Sequence, residues 1–212
     1  MQVIPAINSL SLEDAKKKIE IAANFSDWIH LDIVDGVFAP VKTWGSPQEL
    51  KELTTNNQRP TTNWEIHLMV ENPEQEINGW LETGLAKRII VHLESLANFE
   101  DFLKQRGNYG AEIMLAIKPD TAVEQLLPYL KGFQSFQILA VAPGYAGQKF
   151  QVGVINKIEF LRKMAPSAKI EVDGGINPET AKLAKEAGAD IAVSASYIFE
   201  NSDPKKAYLN LR

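Results

Sequence analysis

The sequence contains no cysteine, no long apolar run and no run of basic residues. The lack of cysteine excludes disulfide bonds and thiolate catalysis, and it is typical of proteins from the reducing cytoplasm. No apolar stretch approaches the roughly 18 residues that a membrane-spanning helix needs, and residues 1–9 lack the basic and apolar regions of a signal peptide. The net charge of -5 disfavours a nucleic-acid-binding surface. We therefore expect a cytoplasmic protein that binds neither membranes nor nucleic acids.

The sequence does contain a regular alternation of short β-rich runs with longer amphipathic stretches. This alternation predicts βαβ units and a parallel sheet, and hence an α/β fold. Helix-like stretches include Leu12–Ala23, Glu74–Glu82 and Glu179–Glu186. The eight β-rich runs are 3–8, 27–35, 64–70, 88–94, 112–118, 136–142, 169–174 and 190–195.

Eight units in 212 residues give 212/8, or about 26 residues per unit, which is close to the compact limit of a (β/α)8 TIM barrel. The alternative is an open, doubly wound sheet, which usually carries a G-x-G-x-x-G turn after its first strand. Here the first strand is followed by N-S-L-S, with no glycine. We therefore favour a barrel, formed by residues 1–212 as a single domain.

All three histidines lie near the C-terminal ends of predicted strands, where TIM barrels build their active sites. His30 and Asp32 share one face of the second strand, because side chains alternate along a strand. His67 ends the third strand and Asp173 ends the seventh. Two imidazoles and two carboxylates suit one divalent metal ion such as Zn²⁺, Fe²⁺, Mn²⁺ or Co²⁺. The alternative is that each histidine is a hydrogen-bonded core or rim group.

His92 and Glu94 repeat the spacing of His30 and Asp32 at the end of the fourth predicted strand. Three glycine-containing or small-residue segments, 142–150, 173–180 and 193–199, follow the last three strands. Backbone N–H groups of these final loops form the usual phosphate site of barrel enzymes. The alternative is that the glycines serve only tight turns.

Several motifs occur in a fixed order along nearly the whole chain. They are P-A-I-N-S (5–9), H-L-D-I-V-D-G-V-F (30–38), I-H-L-M-V-E-N-P (66–73), A-I-K-P-D-T (116–121), V-A-P-G-Y-A-G-Q-K-F (141–150) and E-V-D-G-G-I (171–176). Together they resemble the ribulose-phosphate 3-epimerase family, metal-dependent enzymes with a (β/α)8 barrel of the ribulose-phosphate-binding type. Because the motifs are independent and in register, the resemblance is more specific than any single match.

The resemblance implies a role for each matched residue. His30, Asp32, His67 and Asp173 would bind the metal, and Asp32 and Asp173 would also form the acid/base pair. A phosphorylated ketose would be the substrate, and the family commonly forms homo-oligomers. The implied substrate-binding residues are Ser9, His67, Met69, Gly144, Gly147, Gly174, Gly175, Ala195 and Ser196.

The implied reaction interconverts D-ribulose 5-phosphate and D-xylulose 5-phosphate. One carboxylate removes the proton next to the ketone to give an enediolate, and the other returns a proton to the opposite face. Departures from the family pattern, notably Val37 for histidine and Val41 for asparagine, keep two alternatives open. One is an epimerase of another ketose phosphate, such as a ketohexose 6-phosphate, and the other is a non-catalytic relative. The remaining departures are Asn8, Val34, Ala142, Ala146 and Ala195.

Overall fold

The computed structural model describes residues 1–56, 62–107 and 109–212. Its centre is a closed barrel of eight parallel strands that pair in sequence order, with β8 returning to pair with β1. The expected (β/α)8 barrel is confirmed, and each predicted β-rich run overlaps one strand. The strands are β1 Gln2–Ile7, β2 Trp28–Val34, β3 Asn63–Met69, β4 Ala86–His92, β5 Glu112–Ile117, β6 Ser135–Leu139, β7 Lys169–Asp173 and β8 Ile191–Ser194.

Helices follow the strands along the chain and pack on the outside of the barrel; the last two come after β8. They are α1 Leu12–Ala22, α2 Pro47–Asn56, α3 Pro73–Leu81, α4 Phe99–Arg106, α5 Val154–Met164, α6 Pro178–Ala187, α7 Ser196–Phe199 and α8 Pro204–Asn210. A 3-10 helix, Val123–Tyr129, joins β5 to β6 in place of an α-helix. In the described part of the chain, no helix has the length and apolar character needed to cross a membrane.

Side-chain capping fixes where several helices begin. At α6, the Asn177 side chain accepts hydrogen bonds from the backbone of Glu179 and Thr180, and Thr180 bonds back to Asn177. Proline is well suited to the first helical turn that follows such a cap. The left-handed Gly188, with φ of 107°, ends the same helix. This capping fixes the start of α6 immediately after the loop that follows β7, which we call the β7 loop.

Two kinds of packing surround the strands. Outward-facing side chains such as Ile29, Ile66 and Val172 form one apolar core with the helices. Inside the barrel, apolar patches lie on the β8–β1 side and on the β4–β5 side. Several inward-facing positions of β2, β3 and β7 are instead polar and buried. The charged groups of the barrel interior therefore come from several strands around the ring, and they meet near its centre.

Candidate active site

Four side chains that the sequence singled out converge at the C-terminal end of the barrel. In the register of β2 and β3, His30 lies beside Glu65 and Asp32 beside His67. Asp173 ends β7 and approaches the same point from across the barrel. One donor atom from each of His30, Asp32, His67 and Asp173 lies within 4.8 Å of all the others. We call these four residues the ligand cluster.

The distances within the ligand cluster fit the coordination shell of one small cation. His30 Nε2 lies 3.0 Å from Asp32 Oδ1 and 3.2 Å from His67 Nδ1. His67 Nδ1 lies 3.1 Å from Asp32 Oδ1 and 3.5 Å from Asp173 Oδ2. In a tetrahedral zinc site with bonds of about 2.0–2.2 Å, neighbouring donors are about 3.3–3.6 Å apart. The donor set and its spacing therefore suit a divalent metal.

Each histidine of the cluster is held at its other ring nitrogen. Nδ1 of His30 lies 2.6 Å from Glu65 Oε1, and Nε2 of His67 lies 2.9 Å from Nε2 of His92. A hydrogen bond at the second nitrogen fixes the tautomer and orientation of a metal-binding imidazole. His30 thus turns Nε2 toward the cluster, whereas His67 turns Nδ1 toward it.

Burial and hydrogen bonds strongly shift the pKa values of the ligand cluster. Burial alone would lower the pKa of His30, but hydrogen bonds to Asp32 and Glu65 raise it well above its ordinary value. Burial likewise opposes the charge on His67, but hydrogen bonds to Asp173 and Asp32 raise its pKa. Burial would raise the pKa of Asp32, but the two histidines hold it well below its usual range. Asp32 is therefore ionised at neutral pH.

Asn8 is a site residue that sequence reasoning treated only as a departure from the family pattern. Its amide donates to Asp32 Oδ2 at 3.0 Å and to the Gly144 carbonyl at 2.9 Å. The two oxygens of Asp32 thus have different partners, with Oδ1 facing the imidazoles and Oδ2 facing Asn8. The only signal in the sequence is that Asn8 continues the inward face of β1, on which Ile4 and Ala6 lie.

A cleft opens above the ligand cluster, and most of the predicted substrate residues line it. Its lining includes Asp32 and Asp173 together with Met69, Gly144, Gly147, Gly174, Gly175, Ala195 and Ser196. His67 lies beneath the cleft, fully buried. Ser9 is not among the lining residues. Its hydroxyl donates to Asp14 at 2.6 Å and accepts from Lys18 at 3.2 Å, which ties it to α1.

Gly174 and Gly175 are required by both conformation and space. Their φ angles of 101° and 65° lie in the left-handed region that side chains disfavour. A Cβ on Gly174 would lie 2.4 Å from Val141 Cγ2, and one on Gly175 would lie 2.4 Å from the Phe150 backbone nitrogen. The β7 loop therefore packs directly on the β6 loop, and both loops face the cleft.

A second cluster of charged groups lies deeper in the barrel, and the sequence did not reveal it. The Arg88 guanidinium bonds to Glu65 and, through Nε, to Glu112 Oε2 at 3.1 Å. Its Nη1 also lies 3.6 Å from Glu171 Oε2. Arg88, Glu65 and Glu171 are buried. We call Glu65, Arg88, Glu112 and Glu171 the Arg88 cluster; Glu65 joins it to His30.

Comparisons with known proteins agree with this geometry. Solved structures of 3-hexulose-6-phosphate synthase, one of them from Salmonella typhimurium, match all of this chain and 98% and 96% of their own, with TM-scores of 0.73 and 0.74. At 17% and 16% identity, they support the fold alone.

Sequence relatives are closer. A protein of Chlamydia pneumoniae named ribulose-phosphate 3-epimerase is 39% identical over 87% of this chain and 80% of its own. A protein of the same name from Mycobacterium bovis is 33% identical over 99% of this chain and 91% of its own. The model of the ribulose-phosphate 3-epimerase family matches residues 2–199. The chain therefore belongs to the ribulose-phosphate 3-epimerase family.

Proposed function

We propose that the protein is a metal-dependent epimerase that interconverts D-ribulose 5-phosphate and D-xylulose 5-phosphate. The observation that carries this proposal is the convergence of four metal-binding side chains, two of them carboxylates, under a glycine-lined cleft. Family membership supports the reaction class, and the relatives' names support the substrate. The absence of cysteine supports a cytoplasmic location for the reaction.

The ligand cluster would hold the metal through His30 Nε2, His67 Nδ1 and the carboxylates of Asp32 and Asp173. A divalent ion held there would polarise the ketone of the substrate and offset the negative charge that develops on oxygen. The same cluster leaves one oxygen of Asp32 outside the imidazole contacts, where Asn8 donates to it. That oxygen is available to the substrate side of the site.

Epimerisation requires two acid/base groups on opposite faces of one carbon. Asp32 and Asp173 come from β2 and β7, which are separated by β1 and β8 in the closed sheet. Both side chains line the cleft, so a substrate carbon bound above the cluster would lie between them. Asp32 is ionised and accepts the proton next to the ketone. Asp173, which starts in its protonated form, then delivers its proton to the other face. The turnover leaves Asp32 protonated and Asp173 ionised, and the reverse reaction uses the two groups in exchanged roles.

The glycine-rich loops after β6 and β7, with Ser196 after β8, would bind the phosphate. They line the same cleft as the carboxylates, so a phosphate held there places the ketose over the ligand cluster. Backbone N–H groups bind phosphate without a cationic side chain. This explains how an acidic protein can bind an anionic substrate.

A coupled assay of pentulose phosphate interconversion tests the proposal. Metal-analysed protein should turn over D-ribulose 5-phosphate, lose activity with a chelator and regain it when a divalent metal is restored. Asp32→Asn should fold but lose roughly 10²–10⁴-fold in kcat, the usual contribution of an acid/base group. A fully active Asp32→Asn enzyme, or activity indifferent to the chelator, would contradict the proposal.

The departures in the loop after β2 motivate one alternative substrate class. Val41 and Ala39 lie close to Gly144, which lines the cleft, and the family pattern has asparagine at position 41. An epimerase of a ketohexose 6-phosphate would show a higher kcat/KM for the hexulose than for the pentulose phosphate. Absence of turnover with every ketose phosphate, in folded and metal-loaded protein, would indicate a non-catalytic relative.

A further inference from the structure

The third histidine of the chain lies next to the proposed metal site but outside its ligand set. His92 ends β4 and is fully buried, and its Nε2 lies 2.9 Å from Nε2 of His67. The two ring centres are 5.1 Å apart and the ring planes differ by only 20°. This separation is close to 2.9 Å plus two ring radii, so the nitrogens point at each other head-on. The contact is an in-plane hydrogen bond rather than a stack.

The partners on either side fix the direction of this hydrogen bond. His92 Nδ1 lies 3.2 Å from Glu94 Oε2, and an ionised carboxylate can only accept. His92 therefore donates from Nδ1, and in the neutral ring its Nε2 is left as the acceptor. The facing nitrogen of His67 must then carry the proton. Its remaining nitrogen, Nδ1, faces Asp32 and Asp173, so a metal that displaces the Nδ1 proton would bind there.

Contacts from other loops hold this pair in place. Glu94 accepts hydrogen bonds from the Lys118 backbone nitrogen at 2.8 Å and from the Thr121 hydroxyl, both in the loop after β5. On the other side, the Phe38 ring from the β2 loop lies 4.9 Å from the His92 ring. The His92 imidazole is thus held by contacts with two loops in addition to its contact with His67.

We infer that His92 and Glu94 are positioning residues that hold His67 in the tautomer and orientation needed to bind a metal through Nδ1. The inference rests on the metal site of the proposed function. A His67 ring flipped by 180° would present carbon atoms to both His92 and the ligand cluster, so the acceptor on His92 selects the metal-binding orientation. Glu65 has the corresponding role for His30, on the opposite ring nitrogen.

Two variants separate hydrogen bonding from packing. His92→Leu keeps an apolar side chain of similar size but removes the acceptor, whereas His92→Gln places an amide oxygen near the position of Nε2. Zn²⁺ affinity is measured by chelator competition, after circular dichroism confirms folding. Loss of such an outer partner typically costs 10–100-fold in metal affinity. We expect a Zn²⁺ Kd about 10- to 100-fold higher for His92→Leu, and one close to that of the parent protein for His92→Gln.

Nitrogen-detected NMR provides a readout that is independent of activity, because the chain has only three histidines. His92 should be a neutral ring protonated at Nδ1 both without metal and with Zn²⁺. His67 should be protonated at Nε2 in both states and should bind Zn²⁺ through Nδ1.

The outcomes distinguish this inference from the proposed function. If the parent protein binds no Zn²⁺, the proposed metal site fails, and the tautomer of His92 still decides the hydrogen-bond direction. An Nε2-protonated His92 overturns the inference, as does a folded His92→Leu protein with parental Zn²⁺ affinity. A His92→Gln protein as weak as His92→Leu overturns it also. If His92→Leu does not fold, the tautomers and His92→Gln decide.

Discussion

The barrel interior contains two clusters of similar side chains that solve the problem of buried negative charge differently. In the Arg88 cluster, the cation belongs to the chain, because the guanidinium contacts Glu65, Glu112 and Glu171. In the ligand cluster, the ion pairs of the described residues bring only imidazoles to Asp32 and Asp173. Similar side chains therefore stabilise the fold in the deeper Arg88 cluster and suit a metal ion in the ligand cluster above it.

His30 connects the two clusters. Its Nδ1 lies against Glu65, and its Nε2 lies against Asp32. Ionised Glu65 is held by His30 and Arg88, which lower its pKa to about 2 although burial would raise it. Glu65 of the Arg88 cluster therefore fixes the orientation of His30 in the ligand cluster.

The largest effect on stability is expected from removing the internal cation. Arg88→Met removes the guanidinium that the buried Glu65 and Glu171 face, and loss of one partner of a buried ion pair typically costs about 3–5 kcal/mol. Denaturant unfolding measures the change. Lys17→Met is the matched control, because it breaks an exposed pair with Glu13 and should cost less than about 1 kcal/mol. Equal losses of unfolding free energy in the two variants would contradict a stabilising role for the buried Arg88 cation.

Substitution of a carboxylate of the ligand cluster should give the opposite pattern, with a small loss of stability and a large loss of activity. Asp173→Asn keeps shape and removes a negative charge, so we expect far less destabilisation than for Arg88→Met. The same variant should lose roughly 10²–10⁴-fold in kcat, because it removes one of the two proposed acid/base groups. Unfolding curves and the epimerase assay on one preparation check both parts. A variant that unfolds as easily as Arg88→Met would show that Asp173 is structural.

The smallest expected effect is a difference between the metal-free and the metal-bound protein in how Tm depends on pH. The raised pKa values of His30 and His67 stabilise the metal-free protein below their ordinary value of 6.5, and this stability is lost as pH rises through the raised values. The lowered pKa of Asp32 acts in the other direction, with stability lost as pH falls below about 4. The metal-free Tm should therefore fall on the alkaline side.

A bound divalent metal should remove this alkaline loss, because metal binding displaces the histidine protons and strengthens as pH rises. Arg88 stays charged throughout, since its carboxylate partners raise its pKa against the effect of burial. Thermal melts between pH 6 and pH 9, with chelator or with Zn²⁺, give the comparison. Parallel curves in the two conditions would contradict a metal site built on His30 and His67.

The sequence predicted the barrel and the convergence of the ligand cluster for physical reasons. Alternation along a strand places His30 and Asp32 on one face, and parallel strands bring their C-terminal ends together. The Arg88 cluster was not predictable in this way, because Glu65 and Arg88 lie within β-rich runs where a charge ordinarily indicates a solvent-facing side chain. Only the closed sheet shows that both point inward.

The partners of the remaining site residues also depend on three-dimensional contacts. The spacing of His92 and Glu94 was visible, but the facing nitrogen of His67 is set by the packing of β3 against β4. Asn8 reaches Asp32 and Gly144 across 24 and 136 residues of sequence. Ser9 matched a motif, yet its hydroxyl bonds to α1 because Asp14 and Lys18 lie one and two turns into that helix.

The order of strands around the closed barrel has a consequence for when the proposed metal site forms during folding. Three of the four donors come from β2 and β3, and the fourth comes from β7, which reaches them only when β8 joins it to β1. A fragment that ends before Asp173 carries three donors and cannot complete the shell. Tight metal binding, if the proposed function holds, would therefore be a property of the closed ring, and it would serve as a reporter of barrel closure during refolding.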